Sequence, residues 1–141
     1  FMSVAHAAEC VLGTSGCSPE FTIETNSISS FTFKMSAQGT FYVDWGDGKV
    51  QTITRTDTTE TEYSHTYSSK AKRTIGFRGQ ATAYNTALNT ATILFHANYN
   101  IIGINGSLGA IFGTLSDGKL AILIPPIKTV PVVGVSSLYN I

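Results

Sequence analysis

The side chains of this chain that could carry out acid–base chemistry are three histidines and four aspartates, set among many serines. A serine nucleophile, a histidine base and an orienting acid would together suit acyl transfer, but no nucleophile elbow or other local pattern frames them. His6 lies near the start of the chain, and His96 alternates with the apolar Phe95, which favours a solvent-facing position. The sequence therefore predicts no catalytic residue and no enzyme activity.

Carboxylates around two turns raise the alternative of a calcium site. Asp44 and Asp47 lie close together, and Asp57, Glu60 and Glu62 follow in the next loop. Calcium takes about six to eight oxygen ligands, but this spacing is not that of an EF-hand. Isolated aspartates in turns usually accept hydrogen bonds from backbone amides. Calcium stays the weaker alternative, and the sequence predicts no metal site and no cofactor.

The strongest pattern in the chain reads FYVDWGDG and ends at Gly48, and the triplet HTY follows it at residues 65–67. Its first half alternates apolar and polar side chains, which predicts a strand with Trp45 on the buried face. Asp47 and Gly48 form a turn dipeptide, because both accept left-handed backbone angles. We expect His65 to be half-buried and to hydrogen-bond the backbone near this turn. The residues assigned to this structural motif are Trp45, Gly46, Asp47, Gly48, His65, Thr66 and Tyr67.

These two elements resemble the Trp-Gly-Asp-Gly and His-Thr-Tyr pair of PKD-like domains. Such domains are immunoglobulin-type β-sandwiches found mainly in extracellular and cell-surface proteins. The resemblance covers about residues 20–100. It implies an antiparallel sandwich that positions or binds other molecules and does not catalyse a reaction.

Short segments with alternating polarity, separated by turn residues, run through this region and predict an all-β domain. Their inward side chains are mostly aromatic or β-branched, which suits a pleated, half-buried surface. A bulge is expected at Gly79 and a turn at Gln38 and Gly39. The predicted strands are residues 20–26, 30–37, 40–45, 49–56, 62–67, 72–78, 81–84 and 91–97.

The composition limits the classes of partner. Nine basic and nine acidic residues cancel, and only 13% of residues are charged. A neutral chain offers no electrostatic footprint for nucleic acid or anionic lipid. With 141 residues, 43% of them hydrophobic, the chain has enough apolar side chains for the core of one domain. No apolar stretch approaches the roughly 18 residues that a transmembrane helix needs.

Residues 1–19 read as an irregular leader, and several features there favour export. Cys10 and Cys17 are separated by six residues that include two glycines, so a local disulfide is feasible; free thiols or part of a metal site are the alternatives. Residues 5–8 have the small-x-small pattern that signal peptidase favours, which would place cleavage after Ala7; an ordinary alanine-rich tail is the alternative. We therefore expect a secreted or cell-surface protein with a disulfide loop.

Residues 101–141 differ in character. Residues 101–112 look like the segment by which some bacterial PKD-like surface modules pass into BspA-type leucine-rich repeats, but no second copy follows. The remaining tail is apolar and interrupted by prolines. A single repeat cannot bury its apolar face alone, so this region must lie against the sandwich or a second copy of the chain. We expect a homodimer or higher oligomer through residues 120–124 and 130–135.

Candidate recognition side chains are few. Tyrosine and arginine are frequent binding anchors, and those expected on outward faces or loops are Tyr42, Arg78, Tyr84 and Tyr99. The leading hypothesis is a non-enzymatic, exported module of a cell-surface protein that serves adhesion, spacing or presentation of a repeat array, with a protein or glycan partner. The alternative is an accessory domain of a secreted hydrolase that binds its polysaccharide or protein substrate.

Overall fold

The computed structural model describes residues 10–85, 87, 92–95, 100–113 and 122–123. Within these residues the chain forms nine strands and one short helix. The elements are β1 Phe21–Thr25, β2 Ile28–Met35, β3 Gln38–Asp44, β4 Val50–Arg55, β5 Thr61–Ala71, β6 Thr74–Ala83, β7 Ile93–Leu94, β8 Ile101–Gly106, α1 Gly109–Phe112 and β9 Ile122–Leu123. The helix α1 is too short to cross a membrane, and the described residues hold no other helix that could.

The strands form two sheets that pack face to face. The first sheet has the order β4-β3-β6-β1-β8, and the second has the order β5-β2-β7-β9. Neighbouring strands are antiparallel, except that β9 runs parallel to β7. The predicted all-β antiparallel sandwich is confirmed.

The core lies between the sheets and follows from the alternation of side chains along each strand. Strand side chains point to opposite faces in turn, so every second residue is buried. Phe33 of the second sheet meets Phe77 of the first edge to face, with ring centroids 5.3 Å apart. The predicted core residues are all at most 3% exposed, and they are Phe31, Phe33, Val43, Trp45, Ile75, Phe77, Ile93 and Phe95.

The turn expected at Gln38 and Gly39 and the bulge expected at Gly79 are not found at those residues. Gln38 and Gly39 begin β3 instead of forming a turn, and β6 runs unbroken through Gly79. The register shifts between Gln38 and Gly39, which pair with Ala83 and Ala81, so the extra residue lies in β6 between these partners. A Cβ atom at Gly39 would lie 2.2 Å from the Gln80 carbonyl oxygen, so only glycine permits this close strand approach.

The sandwich extends beyond the boundary predicted at residue 100. Strand β8 pairs with β1, with Ile104 opposite Ile23. Leu108, Ile111 and Phe112 are buried in the common core, and the Phe112 ring stacks on Phe41 with centroids 5.7 Å apart. This part of the C-terminal region therefore buries its apolar face against the sandwich, the first of the two surfaces expected. The oligomer interface predicted at residues 120–124 and 130–135 lies outside the described residues, apart from the backbone of β9.

Residues 10–19 are part of the fold, and we call them the N-terminal strap. Cys10 and Cys17 are joined by a disulfide with Cα atoms 5.7 Å apart, as expected. The strap contacts the first sheet, because a Cβ at Gly13 would lie 3.0 Å from the Val50 side chain. Leu12 is only 3% exposed. The cleavage site expected after Ala7 lies outside the described residues.

The strap also explains why one prediction is wrong. Arg78 was expected on an outward face as an exposed recognition side chain, but it is only 6% exposed. Its guanidinium donates a hydrogen bond to the carbonyl oxygen of Ser18 in the strap. The side chain does alternate outward from the core, but the strap covers it there.

Candidate functional site

The FYVDWGDG pattern forms a tight turn between β3 and β4. Gly46 and Gly48 have φ angles of 87° and 88°, in the left-handed region, and for Gly48 this is what the turn dipeptide predicted. The Trp45 amide donates to the Lys49 carbonyl oxygen at 3.0 Å and closes the turn. Asp44 Oδ1 accepts the Gly46 amide at 2.9 Å, and Asp47 Oδ1 accepts the Lys49 amide at 3.2 Å. Both aspartates therefore stabilise the turn that they flank.

His65 of β5 reaches this turn from the opposite sheet. Its Nε2 lies 2.7 Å from Oδ2 of Asp47, and the two side chains are 17% and 15% exposed. The expected backbone partner for His65 is thus corrected to a carboxylate. Asp47 can bond both the turn and His65, because Oδ1 accepts the Lys49 amide and Oδ2 faces His65 on β5. We call the turn residues 44–49 together with His65 and Tyr67 the corner.

Aromatic contacts continue the corner into the core. The His65 ring stacks on Trp45, with centroids 5.0 Å apart and planes 15° apart. Tyr67 meets His65 edge to face at 4.8 Å, and its hydroxyl donates to the Trp45 carbonyl oxygen at 2.6 Å. Trp45 Nε1 donates to Gln51 Oε1 at 3.1 Å. These contacts join the end of β3 in one sheet to β5 in the other.

An arginine closes the outer end of this stack. The Arg73 guanidinium lies 4.2 Å from the centroid of the Tyr67 ring, a cation–π distance, and its Nη2 donates to the Ser69 carbonyl oxygen at 2.7 Å. Thr66 is exposed and pairs with Ser30, so it faces away from the corner. Within the HTY triplet, His65 and Tyr67 therefore contact the corner turn, and Thr66 does not.

The corner shifts the pKa values of two of its groups. Burial raises the pKa of Tyr67 to about 12, with a further contribution from the negative charge of Asp47. For Asp47, burial acts to raise the pKa, but the hydrogen bonds from His65 and the Lys49 amide outweigh it and hold the pKa below its usual value of 3.8. Asp47 is therefore a charged acceptor at neutral pH, and Tyr67 is a neutral donor.

The polar groups at the centre of the corner are hydrogen-bonded within the protein. The two oxygens of Asp47, the Tyr67 hydroxyl and the Trp45 indole N–H all have partners inside the protein. Asp57, one of the carboxylates weighed as a calcium ligand, accepts the Thr59 amide at 2.9 Å as another turn cap. The described residues contain no group of three or more His, Cys, Asp or Glu side chains that could hold a metal ion.

A second buried arginine escaped the sequence analysis. Arg55 is 7% exposed and donates to the Ala37 carbonyl oxygen at 2.5 Å, to the Tyr63 hydroxyl at 2.7 Å, and to the Thr59 carbonyl oxygen. It fastens the loop between β4 and β5 to the sandwich. The sequence does indicate this burial: Arg55 lies two residues after the buried Ile53, so the alternation of side chains along β4 places both on the inward face.

A groove with a volume of about 570 Å³ lies beside the corner on the outer face of the first sheet. We call it the glycine groove, since three of its lining residues are glycines. Its sequence gives no local sign of it, because the lining residues come from three separate stretches of the chain, 19–22, 44–48 and 72–76. The lining residues are Pro19, Thr22, Asp44, Gly46, Gly48, Lys72, Thr74 and Gly76.

The four predicted recognition residues do not form one surface. Tyr42 is half-buried and lies opposite Arg78 in the register of β3 and β6. Tyr84 is partly buried and packs against the core. Tyr99 lies outside the described residues. The structure therefore brings Tyr42 and Arg78 together, with Arg78 beneath the strap, and leaves Tyr84 apart.

Comparison with known proteins gives no relative from which a role could be transferred. No protein-family model, no curated protein and no solved structure matches this chain. The corner and the glycine groove are therefore the observations on which a function must rest.

Proposed function

We propose that this chain is a non-enzymatic, exported module of a cell-surface protein that serves adhesion, spacing or presentation of an adjoining repeat array. The observation that carries the proposal is the corner. Within the described residues, Asp47, His65 and Tyr67 bring a carboxylate, an imidazole and a phenol together, and their contacts with the turn and with Trp45 join the two sheets. A domain in which His65 and Asp47 are engaged in this way is suited to a mechanical or binding role.

The disulfide supports the exported part of the proposal. Disulfides persist in oxidising compartments such as the cell exterior and the bacterial periplasm, and they are rare in the cytosol. The Cys10–Cys17 bond closes the strap that packs on the first sheet. The charge also fits a surface module, since nine basic and nine acidic residues cancel and offer no electrostatic footprint for nucleic acid.

The PKD-like resemblance is part of the same proposal. The two elements that carry it, the turn at Gly46 to Gly48 and the His65–Tyr67 pair, meet in space to form a single joint between sheets. The leucine-rich-repeat array that would follow remains an expectation from residues 101–112.

The test is surface accessibility in the cells that make the protein. Intact cells would be treated briefly with a protease, and the remaining protein detected with an antibody raised against this chain. We expect its signal to fall in intact cells, while a cytoplasmic protein from the same cells survives as the control. Protection of the chain until the cells are lysed would overturn the proposal.

The accessory domain of a secreted hydrolase is the second candidate, and the glycine groove favours it. A concave site lined by carboxylate, ammonium and hydroxyl groups could hold a substrate while a separate catalytic domain acts on it. The complete reading frame separates the two candidates. Repeats beside this domain support the surface module, and a catalytic domain supports the hydrolase.

A further inference from the structure

We infer that the glycine groove is a binding site for a neutral sugar unit of a polysaccharide. This inference rests on the proposed function and deepens it, because it gives the module a ligand class and a site. The groove is bounded by the strap at Pro19, by the turn at Gly46 and Gly48, and by the start of β6 at Thr74. Its volume of about 570 Å³ lies within the range of roughly 300–1,000 Å³ typical of small-molecule sites.

The floor of the groove follows from strand register. Asp44 of β3 and Thr22 of β1 both lie directly opposite Gly76 of β6. Gly76 is buried beneath the strap, because a Cβ there would lie 2.7 Å from the Pro19 ring. Asp44 and Thr22 therefore lie on one sheet face, on either side of Gly76 and of the Pro19 ring that covers it.

The polar groups of the groove suit a ligand with many hydroxyls. Asp44 Oδ1 accepts the Gly46 amide, so Oδ2 is the carboxylate oxygen that can accept a ligand hydroxyl. Lys72 is exposed and supplies donors, and Thr22 and Thr74 can each donate and accept. A sugar hydroxyl also donates and accepts, so it can satisfy either kind of partner.

Charge balance favours a neutral ligand. The lining contains one carboxylate, Asp44, and one ammonium group, Lys72, so its net charge is zero. A strongly anionic or cationic ligand would leave one of these groups facing a like charge. An uncharged sugar can hydrogen-bond both without that penalty.

The sheet position argues against a peptide ligand. Extended peptides bind most readily to an exposed sheet edge, where they complete the backbone hydrogen bonds. The strands beneath the groove are β3, β6 and β1, which are interior strands paired on both sides. Apart from Pro19 the lining offers no sizeable apolar side chain, so a peptide would find neither a backbone partner nor a side-chain pocket.

Heteronuclear NMR titration of the full chain tests the inference with defined probes. The neutral probes are cellohexaose, xylohexaose, mannohexaose and chitohexaose; hexaglycine represents a peptide, and an oligogalacturonate represents an acidic glycan. We expect at least one neutral oligosaccharide, at millimolar concentration, to shift the amide signals of Gly46, Gly48, Lys72 and Gly76. Binding of only hexaglycine or the acidic glycan would overturn the inference. So would shifts at another surface, or no shifts at all.

Matched variants then tie binding to the groove. Asp44→Asn keeps an acceptor for the turn amide and removes the charge, and we expect affinity to fall roughly tenfold. Its control is Asp57→Asn, because Asp57 caps a turn amide in the same way outside the groove. Lys72→Ala should weaken binding, while Lys70→Ala, at an exposed position on β5, should not.

A bulky substitution tests occupancy directly. Thr74→Trp should fill the groove and abolish the shifts, while Thr52→Trp, also exposed and on the edge strand β4 of the same sheet, should leave them unchanged. Thermal unfolding of each variant checks that the fold is retained. Equal binding by Thr74→Trp and the parent chain would overturn the inference. These results are separate from surface labelling, so a module that is exposed on cells but binds none of the probes would refute the sugar site alone.

Discussion

Nε2 of His65 lies 2.7 Å from Oδ2 of Asp47, so an edge strand of one sheet is fastened to a turn that ends a strand of the other. The Tyr67 hydroxyl repeats the connection two residues later by donating to the Trp45 carbonyl oxygen. Elsewhere the facing sheets meet mainly through non-directional apolar contacts, with a hydrogen bond from Arg55 of β4 to the Tyr63 hydroxyl of β5 as a further directional contact. Directional hydrogen bonds at one end can therefore set how the sheets are placed relative to each other.

Truncating the central aromatic residue of the corner should be severe. Trp45 is 1% exposed and contacts both Phe33 and His65. We expect Trp45→Ala to lower the free energy of unfolding by about 3–5 kcal/mol, through lost burial and the cavity that remains. Urea denaturation followed by far-UV circular dichroism measures this, because the variant lacks the only tryptophan. A loss below about 1 kcal/mol would contradict the assignment of Trp45 to the core.

The two turn glycines should differ in their tolerance of a side chain. Both have positive φ, but a Cβ at Gly46 would lie 2.6 Å from the Thr74 carbonyl oxygen, while a Cβ at Gly48 would meet nothing within 4 Å. Gly48→Ala should cost about 1–2 kcal/mol from backbone strain alone. Gly46→Ala should cost more, because backbone strain is joined by a steric clash. Thermal or urea unfolding gives the order, and equal losses would refute it.

Acid should weaken the corner through Asp47. The folded-state pKa of Asp47 is lowered below 3.8, so the folded protein holds this proton less tightly than the unfolded chain does. The stabilisation is present above pH 3.8 and is lost as the pH falls through the folded-state pKa. We expect Asp47→Asn to be less stable than the parent at neutral pH, and the difference to shrink in acid. A constant difference between the two proteins across this range would rule out the linkage.

Alkali should lower the stability of the fold through ionisation of Tyr67. Its pKa is raised from 10.0 to about 12 in the folded protein, so the stabilisation is present below pH 10 and is lost as the pH rises towards 12. Tyr67→Phe removes the titrating group and should show a flatter decline over this interval. Tyr63→Phe is a suitable control, since Tyr63 lies on the same strand and bonds Arg55 instead. If Tyr67→Phe and Tyr63→Phe lose stability with the same pH profile, Tyr67 is not the group responsible.

Much of the sandwich is readable from the sequence because strands have a period of two residues. Phe31 and Phe33, like Ile75 and Phe77, stand at alternate positions, and all four are buried as expected. The turn at Asp47 and Gly48 is also local, since residue type alone favours its backbone angles.

What the sequence did not reveal depends on contacts between distant segments. The burial of Arg78 requires the strap, which alternation within β6 does not show. The join of β8 to β1 was hidden because the apolar residues 101–112 look the same whether they begin a repeat or complete a sheet. His65 was expected to meet backbone, because its distance from the Asp47 carboxylate is set by how the two sheets pack. The association expected through residues 120–124 and 130–135 stays a prediction.

The most direct test of the corner as a joint between sheets is a double-mutant cycle on His65 and Asp47. Free energies of unfolding at neutral pH would be measured for the parent, His65→Ala, Asp47→Ala and the double variant. We expect a coupling energy of about 1 kcal/mol between the two side chains, the size of a net hydrogen bond between partly exposed groups. Additive losses, within about 0.3 kcal/mol, would show that the two residues do not stabilise the fold through each other and would contradict the account.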